Sequence, residues 1–124
     1  MLLNEYFRII SQTATDSVTT FHVLLLADHP VYRGHFPGNP VSPGVCNMQM
    51  IKECAEQLIG HEVLLDNVRQ YRLMEVLSPQ RTPELDIDVE VGLSDGRYQI
   101  RSTVRSTNGI SIDFKAEAAE MPAS

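Results

Sequence analysis

The chain has 124 residues, of which 43% are hydrophobic and 21% charged, and this is the size and composition of one globular domain. The formal net charge of -6 argues against a nucleic-acid-binding face, which needs a basic footprint, and against an anionic membrane surface. No stretch approaches the roughly 20 apolar residues that a membrane-spanning helix needs. We therefore predict one domain over residues 1–124, without internal repeats or linkers and with neither nucleic acid nor membrane as a partner.

The first elements in the chain are predicted to be a β-hairpin and a stiff loop. Residues 6–12 and 18–27 are β-branched and apolar runs, and residues 15–17 form a turn between them. Residues 28–44 hold four of the seven prolines and three of the seven glycines, which predicts a loop with a fixed path. Ordered loops on a rigid scaffold often carry function.

Residues 43–59 predict the one long helix. Ser42 is a candidate N-cap, Pro43 suits the first turn, and Gly60 suits the position just after the end. At about 100° per residue the apolar side chains cluster on one arc and the polar ones on the opposite arc, so we expect one buried face. The apolar arc holds Met48, Ile51, Cys54, Ala55, Leu58 and Ile59, and the polar arc holds Gln49, Lys52, Glu53, Glu56 and Gln57.

The two cysteines, Cys46 and Cys54, both lie on this helix. Their Cα atoms are roughly 12 Å apart along its axis, which is too far for a disulfide. Free thiols are typical of a reducing compartment. The N-terminal residues MLLNEYFRII contain no apolar run of signal-peptide length, so we predict a cytoplasmic protein.

The remainder of the chain predicts antiparallel strands. One helix cannot cover both faces of such a sheet, so we predict an α+β fold in which a curved antiparallel sheet wraps around one central helix. We interpret the row of Arg97, Arg101 and Arg105 as pairing with carboxylates on neighbouring strands rather than as a ligand-binding patch. The strand segments are residues 61–76, as one or two strands, then 84–93, 97–106 and 110–118, with turns at 94–96 and 108–109.

The stretch GHFPGNPVSPGV, residues 34–45, combines a histidine in a Pro/Gly frame with the start of the helix. His35 has the side chain best suited to act as a general base near neutral pH. The helix N-terminus presents unpaired N–H groups, and Gly44 permits close approach of a substrate to the backbone. Taken alone, these residues fit equally well a packed loop histidine with a backbone partner.

This stretch resembles the β-hydroxyacyl-(acyl-carrier-protein) dehydratases, whose pattern is G-H-F-P-G-x-P-x-x-P-G-V. The resemblance implies a hot-dog fold and a homodimer whose sheets join edge to edge, with the pantetheine arm of an acyl carrier protein thioester entering a tunnel at the subunit interface. It places His35 on the catalytic histidine and Gly44 on the residue whose N–H polarises the thioester carbonyl. Site-lining residues are then Phe36, Pro37, Val45 and Met48.

The most important departure from the family lies at its second catalytic position. Five residues after Gly44 the family has a catalytic Glu or Asp, and this chain has Gln49. An amide hydrogen-bonds but does not exchange a proton at accessible pH, and losing a general acid costs about 10²–10⁴ in rate. Gln49 is left as a positioning group for a hydroxyl or a water.

Three hypotheses stay open at this point. The chain is a 3-hydroxyacyl-(acyl-carrier-protein) dehydratase, or a non-catalytic subunit that binds an acyl thioester or pairs with a related hot-dog chain carrying the missing carboxylate, or a hot-dog thioesterase in which Gln49 or Glu53 places water. The intact histidine loop favours the first and Gln49 favours the second, whereas only the fold favours the third. No cofactor and no metal is expected.

The remaining candidates have weaker support. His22 and His61 are isolated and show no zinc spacing. Cys46, one turn into the helix, is interpreted as a buried inert thiol rather than an activated one. Contacts to an acidic carrier protein are a minor hypothesis for four arginines, which are Arg33, Arg69, Arg72 and Arg81.

Overall fold

The computed structural model describes residues 1–34 and 40–122. They form six strands and two helices, in an order that confirms the predicted succession of hairpin, helix and antiparallel strands. The elements are β1 (Phe7–Thr15), β2 (Val18–Leu25), α1 (Val31–Gly34), α2 (Gly44–Ile59), β3 (Val63–Leu73), β4 (Glu84–Ser94), β5 (Arg97–Ser106) and β6 (Gly109–Glu120). The segment 28–44, predicted to be entirely loop, therefore contains the short helix α1.

The six strands form one antiparallel sheet in the order β1-β2-β4-β5-β6-β3. The predicted curved sheet with one central helix is confirmed, and α2 packs against β4. β1 and β3 are the two edges. In β4 the predicted alternation holds for Leu85, Ile87 and Val89, which are buried. It fades at the strand end, where Leu93 is exposed although it was predicted to share their face, because the alternation continues beyond the part of the sheet that the core covers.

The helix α2 ends as predicted but does not begin as predicted. Gly60 has a φ of 95°, and its N–H donates to the Glu56 carbonyl at 2.8 Å. At the start, Pro43 is the N-cap and no side chain caps the helix, so the Ser42 cap is wrong. The Ser42 hydroxyl is instead engaged with the Tyr32 hydroxyl at 3.0 Å.

Two of the five polar-arc residues of α2 are buried, which contradicts the expected single buried face. Glu53 is 3% exposed and Glu56 is 8% exposed, whereas Leu58 of the apolar arc is exposed. Backbone N–H groups cover both carboxylates: Leu2 and Leu3 donate to Glu53, and Val63 donates to Glu56 at 2.8 Å. Periodicity within the helix did not predict this burial because the covering N–H groups come from outside the helix, from the start of the chain and from β3.

The arginine row on β5 pairs with carboxylates at two of its three positions. Arg97 bonds Asp66 at 2.7 Å and Arg105 bonds Asp88 at 2.8 Å, which confirms the structural interpretation for these two. Within residues 1–34 and 40–122, Arg101 has no carboxylate oxygen within 4.0 Å, although Glu90 lies opposite it in register.

The expectations about disulfides and membrane-spanning helices can be compared with the structure. Both cysteines are free. Among the described residues, no helix is long and apolar enough to cross a membrane.

Candidate functional site

The predicted site residues divide into two groups. His35, Phe36 and Pro37 lie outside the described residues. Gly44, Val45, Met48 and Gln49 all lie on the first half of α2. The structure thus locates the helix side of the predicted site.

An apolar groove runs between α2 and the edge strand β3. Its volume is about 300 Å³, and the lining is mostly aliphatic. Val45 is 70% exposed here, so the predicted lining residue faces open space rather than the core. A groove of this kind accepts an alkyl chain by burying apolar surface. The lining residues, referred to below as the α2–β3 groove, are Val45, Met48, Gln49, Lys52, Leu64, Leu65 and Val68.

Gly44 is the first residue of α2, so its N–H is one of the four that have no partner within the helix. The macrodipole adds positive potential at this end. The hydroxyl oxygen of Tyr71 lies 3.6 Å from the position that a Cβ on Gly44 would occupy. A backbone donor and a phenol hydroxyl therefore adjoin at the N-terminus of α2.

Gln49 lines the α2–β3 groove and is tied to Glu53. Its Nε2 donates to Glu53 Oε2 at 2.8 Å. The same carboxylate accepts from the N–H of Leu2, at 2.8 and 3.0 Å to its two oxygens, and from the N–H of Leu3 at 2.8 Å. Glu53 therefore anchors the N-terminal segment to the helix. Because three N–H groups bind it and it is 3% exposed, Glu53 is a poor candidate for placing a water in the thioesterase hypothesis.

A buried polar network lies beneath the start of α2, and sequence reasoning missed it. Asn47 is fully buried, with its Nδ2 donating to the Tyr71 oxygen at 3.1 Å, and the Tyr6 O–H donates to Asn47 Oδ1 at 3.5 Å. Burial raises the pKa of the Tyr6 and Tyr32 hydroxyls, so both stay protonated. The available signal was an asparagine on an otherwise apolar helix turn.

The cysteines have the environment of inert thiols. Burial raises the pKa of Cys46, despite its place in the first turn of α2. Burial, and secondarily the nearby Glu53 charge, raises the pKa of Cys54 to about 12. An activated nucleophile needs the opposite shift.

The two isolated histidines have carboxylate partners. His22 places Nδ1 2.8 Å from Asp86 and Nε2 3.0 Å from Glu84. His61 Nε2 lies 2.8 Å from Glu120. Within the described part of the chain, no group of three His, Cys, Asp or Glu side chains is arranged to hold a metal ion.

The four arginines differ in their freedom to meet a partner. Arg69 bonds Glu117 at 2.9 Å while remaining exposed. Arg33, Arg72 and Arg81 are exposed, on α1, on β3 and after β3 respectively. Contact between these arginines and a carrier protein stays a prediction.

Sequence comparison links the chain to one family of dehydratases. Residues 11–110 match the family described as ApeI-like, ApeI dehydratase. The 3-hydroxyacyl-(acyl-carrier-protein) dehydratase FabZ of Chloroflexus aggregans is 30% identical over 89 residues, covering 65% of this chain and 62% of that protein. The chain thus spans less than two thirds of this relative.

Two solved structures share the fold. A chain of the dehydratase heterocomplex ApeI:P from Xenorhabdus doucetiae superposes with a TM-score of 0.72 at 16% identity, covering 90% of this chain and 96% of that one. A protein of the thioesterase superfamily superposes with a TM-score of 0.63 at 11% identity, covering 90% and 82%. At such identities the likeness shows the fold alone.

The antiparallel sheet around one helix, with the groove beside that helix, defines a hot-dog protein. Because the family match extends over residues 11–110, the chain belongs to the ApeI-like dehydratase family.

Proposed function

We propose that the protein catalyses reversible removal of water from a 3-hydroxyacyl thioester of acyl carrier protein, giving the trans-2-enoyl thioester, in fatty-acid or polyene-type lipid synthesis. The observation that carries this proposal is the position of Gly44. Gly44 begins α2 beside the apolar α2–β3 groove, nine residues after His35 in the sequence. Family membership and the FabZ relative support the same reaction class.

In the proposed mechanism His35 is the base and Gly44 the carbonyl polariser. His35 takes the proton from C2 of the substrate. The Gly44 N–H binds the thioester oxygen, where negative charge develops as that proton leaves. The bond between C3 and its hydroxyl then breaks, the double bond forms between C2 and C3, and the hydroxyl leaves as water with a proton.

Gln49 takes the place of the family's carboxyl and is proposed as a positioning group. Since its Nε2 donates to Glu53, its Oε1 is the atom left to accept a hydrogen bond from the C3 hydroxyl. This fixes the orientation of the hydroxyl but supplies no proton. The proton that leaves with water then comes from the imidazolium that His35 has become, or from solvent.

A dimer with a second hot-dog chain belongs to the proposal. β3 is an edge strand of 11 residues, and Leu64 and Val68 on it are more than 40% exposed. Long apolar edges are normally covered. The partner is a second copy or a related chain, and the heterocomplex formed by the ApeI:P structural neighbour favours keeping the related chain as an alternative.

The test is a mass-spectrometric assay with 3-hydroxyacyl and enoyl carrier-protein thioesters. The wild type is compared with His35→Ala and with the control His61→Ala, which removes an exposed histidine beyond the far end of α2. We expect gain or loss of water with the wild type and the control, and none with His35→Ala.

Two other outcomes would reject this function. Release of free acid indicates the thioesterase. Binding of the carrier thioester without turnover indicates the non-catalytic subunit, for which the specific support is the amide at position 49. Light scattering on the same preparation then separates a homodimer from a monomer that awaits a different chain.

A further inference from the structure

The network around Asn47 has a feature that packing alone does not explain. Asn47 is fully buried on the helix that carries the predicted site, at a position where an apolar side chain would pack without any need for partners. A buried amide is tolerated only when it is hydrogen-bonded. Asn47 meets this need with two tyrosines that lie far apart in the chain, Tyr6 and Tyr71.

The hydrogen bonds set the direction of the Tyr71 hydroxyl. Asn47 Nδ2 donates to the Tyr71 oxygen at 3.1 Å, and the Asn47 amide oxygen faces the Tyr6 hydroxyl at a longer distance of 3.5 Å. The proton of Tyr71 is therefore not used in this contact. Within residues 1–34 and 40–122, it has no acceptor at hydrogen-bond distance.

The Tyr71 hydroxyl lies beside the Gly44 N–H. Its oxygen is 3.6 Å from the position of a Cβ on Gly44, and that position is about 2.5 Å from the Gly44 nitrogen, so the two donor atoms are within about 6 Å of one another. One oxygen atom at about 3 Å from each donor fits between them. This separation meets the spacing requirement of a two-donor oxyanion site.

We propose that Tyr71 is a further catalytic residue, whose O–H donates a hydrogen bond to the same thioester oxygen that the Gly44 N–H binds. The inference rests on the proposed function, in which that oxygen lies at Gly44. Tyr71 stabilises the charge that develops on the oxygen, its proton stays on the phenol, and no bond to it forms or breaks. Asn47 is then a positioning residue for Tyr71. Because the site has no carboxyl at position 49, a larger part of the rate acceleration then comes from stabilising the charge on the thioester oxygen.

The kinetic test compares Tyr71→Phe with Tyr98→Phe. Both remove one hydroxyl from a strand, but Tyr98 bonds Glu120 and approaches His61, beyond the far end of α2, which is roughly 24 Å long. Tyr71→Phe keeps the ring that packs edge-on against Phe114. We expect kcat to fall about 10²–10³-fold in Tyr71→Phe with little change in KM, and to stay unchanged in Tyr98→Phe.

A second readout does not need turnover. Butyryl-pantetheine thioester labelled with ¹³C at the carbonyl is bound to each protein, and the carbonyl stretch is measured by infrared spectroscopy. We expect a lower frequency with the wild type and Tyr98→Phe than with Tyr71→Phe, since the hydrogen bond from Tyr71 weakens the C=O bond. A protein that has merely lost packing shows a kinetic loss without this change.

The outcomes separate the two proposals. If the wild type does not turn over but the frequency rises in Tyr71→Phe, the dehydratase fails and the Tyr71 contact stands. If wild type and Tyr71→Phe give the same frequency, the inference is overturned, whatever happens to kcat. It is also overturned if the wild type does not bind the probe.

Discussion

The side chains of Gln49 and Glu53 are in direct contact, so a substitution at one of them changes the environment of the other. Their side chains meet at 2.8 Å, and Glu53 is almost fully buried. Under the proposed function, Gln49→Glu is the substitution that supplies the carboxyl. That change places two carboxylates in contact, and two such groups cannot both be ionised without a large cost.

We predict that Gln49→Glu lowers the free energy of unfolding by about 1.5–3 kcal/mol at pH 7, because it replaces a hydrogen bond to a charged acceptor with repulsion. The loss shrinks as pH falls below about 5, since the pair then shares a proton. Urea unfolding at both pH values measures it. Gln80→Glu, which adds the same charge at an exposed position, is the control.

The compensated double variant sharpens this test. Gln49→Glu with Glu53→Gln restores one amide and one carboxylate to the contact, and we expect it to recover part of the lost stability. Equal stability of Gln49→Glu and Gln80→Glu at pH 7 would show that the contact between Gln49 and Glu53 does not exist in solution.

The motif predicted the helix residues of the proposed site, but not the hydrogen-bond partners of those residues. Spacing from Gly44 predicted Gln49 at the position of the family's carboxyl. Spacing was not enough to predict that Glu53 binds the N–H groups of Leu2 and Leu3, since those contacts join residues about 50 positions apart. The Asn47 network was missed for the same reason, because it depends on the path of β3 across the helix start.

Among the elements, α2 has a glycine cap at its C-terminus and no side-chain cap at its N-terminus. Gly60 has a φ of 95°, and a Cβ there meets nothing within 4 Å. The cost of a side chain at this position is thus purely one of backbone conformation.

We predict that Gly60→Ala lowers the free energy of unfolding by about 1–2 kcal/mol, the cost of the left-handed conformation for a residue with a Cβ. Gly92→Ala is the matched control, because Gly92 also has open space around it and no positive φ. Urea denaturation of both variants measures the difference. Equal stability of the two variants would mean that α2 does not end in the αL conformation.

Turn residues and hydrophobic periodicity predicted the strands and helices better than they predicted which strands pair. Turn residues identified the pairings of β1 with β2, β4 with β5 and β5 with β6, since each joins neighbours in sequence. Nothing local specifies that β2 pairs with β4 or that β3 pairs with β6. Those pairings follow from how the sheet closes over α2, which is a property of the packed core.

At the scale of the whole molecule, charge pairs across the strands set the pH range of stability. Hydrogen bonds to Asp86 and then Glu84 raise the pKa of His22. The Arg97 guanidinium lowers the pKa of Asp66. For Asp88, burial opposes ionisation, but bonds from Arg105 and Thr20 outweigh it and the pKa is lowered.

These shifts act on opposite sides of neutrality. A raised histidine pKa gives stability that is complete below the unfolded value of about 6.5 and is lost as pH rises through the folded value. A lowered carboxyl pKa gives stability that is present above the unfolded value of about 4 and is lost as pH falls through the folded value. Stability is therefore expected to be greatest between about pH 5 and 6.5.

We predict that His22→Gln removes the loss of stability above pH 6.5 but leaves the loss on the acid side, whereas Asp88→Asn reduces the acid slope only. The His22 effect is expected to stay below about 1 kcal/mol, because its side chain is 35% exposed and solvent screens the pairs. Urea unfolding from pH 3 to 7.5 measures both slopes and stops about one pH unit below the ordinary cysteine pKa of about 8.5, so that few thiols ionise in the unfolded chain. Parallel alkaline curves for the wild type and His22→Gln would show that the His22 cluster does not hold its proton in the folded protein, and the pH optimum would then need another cause.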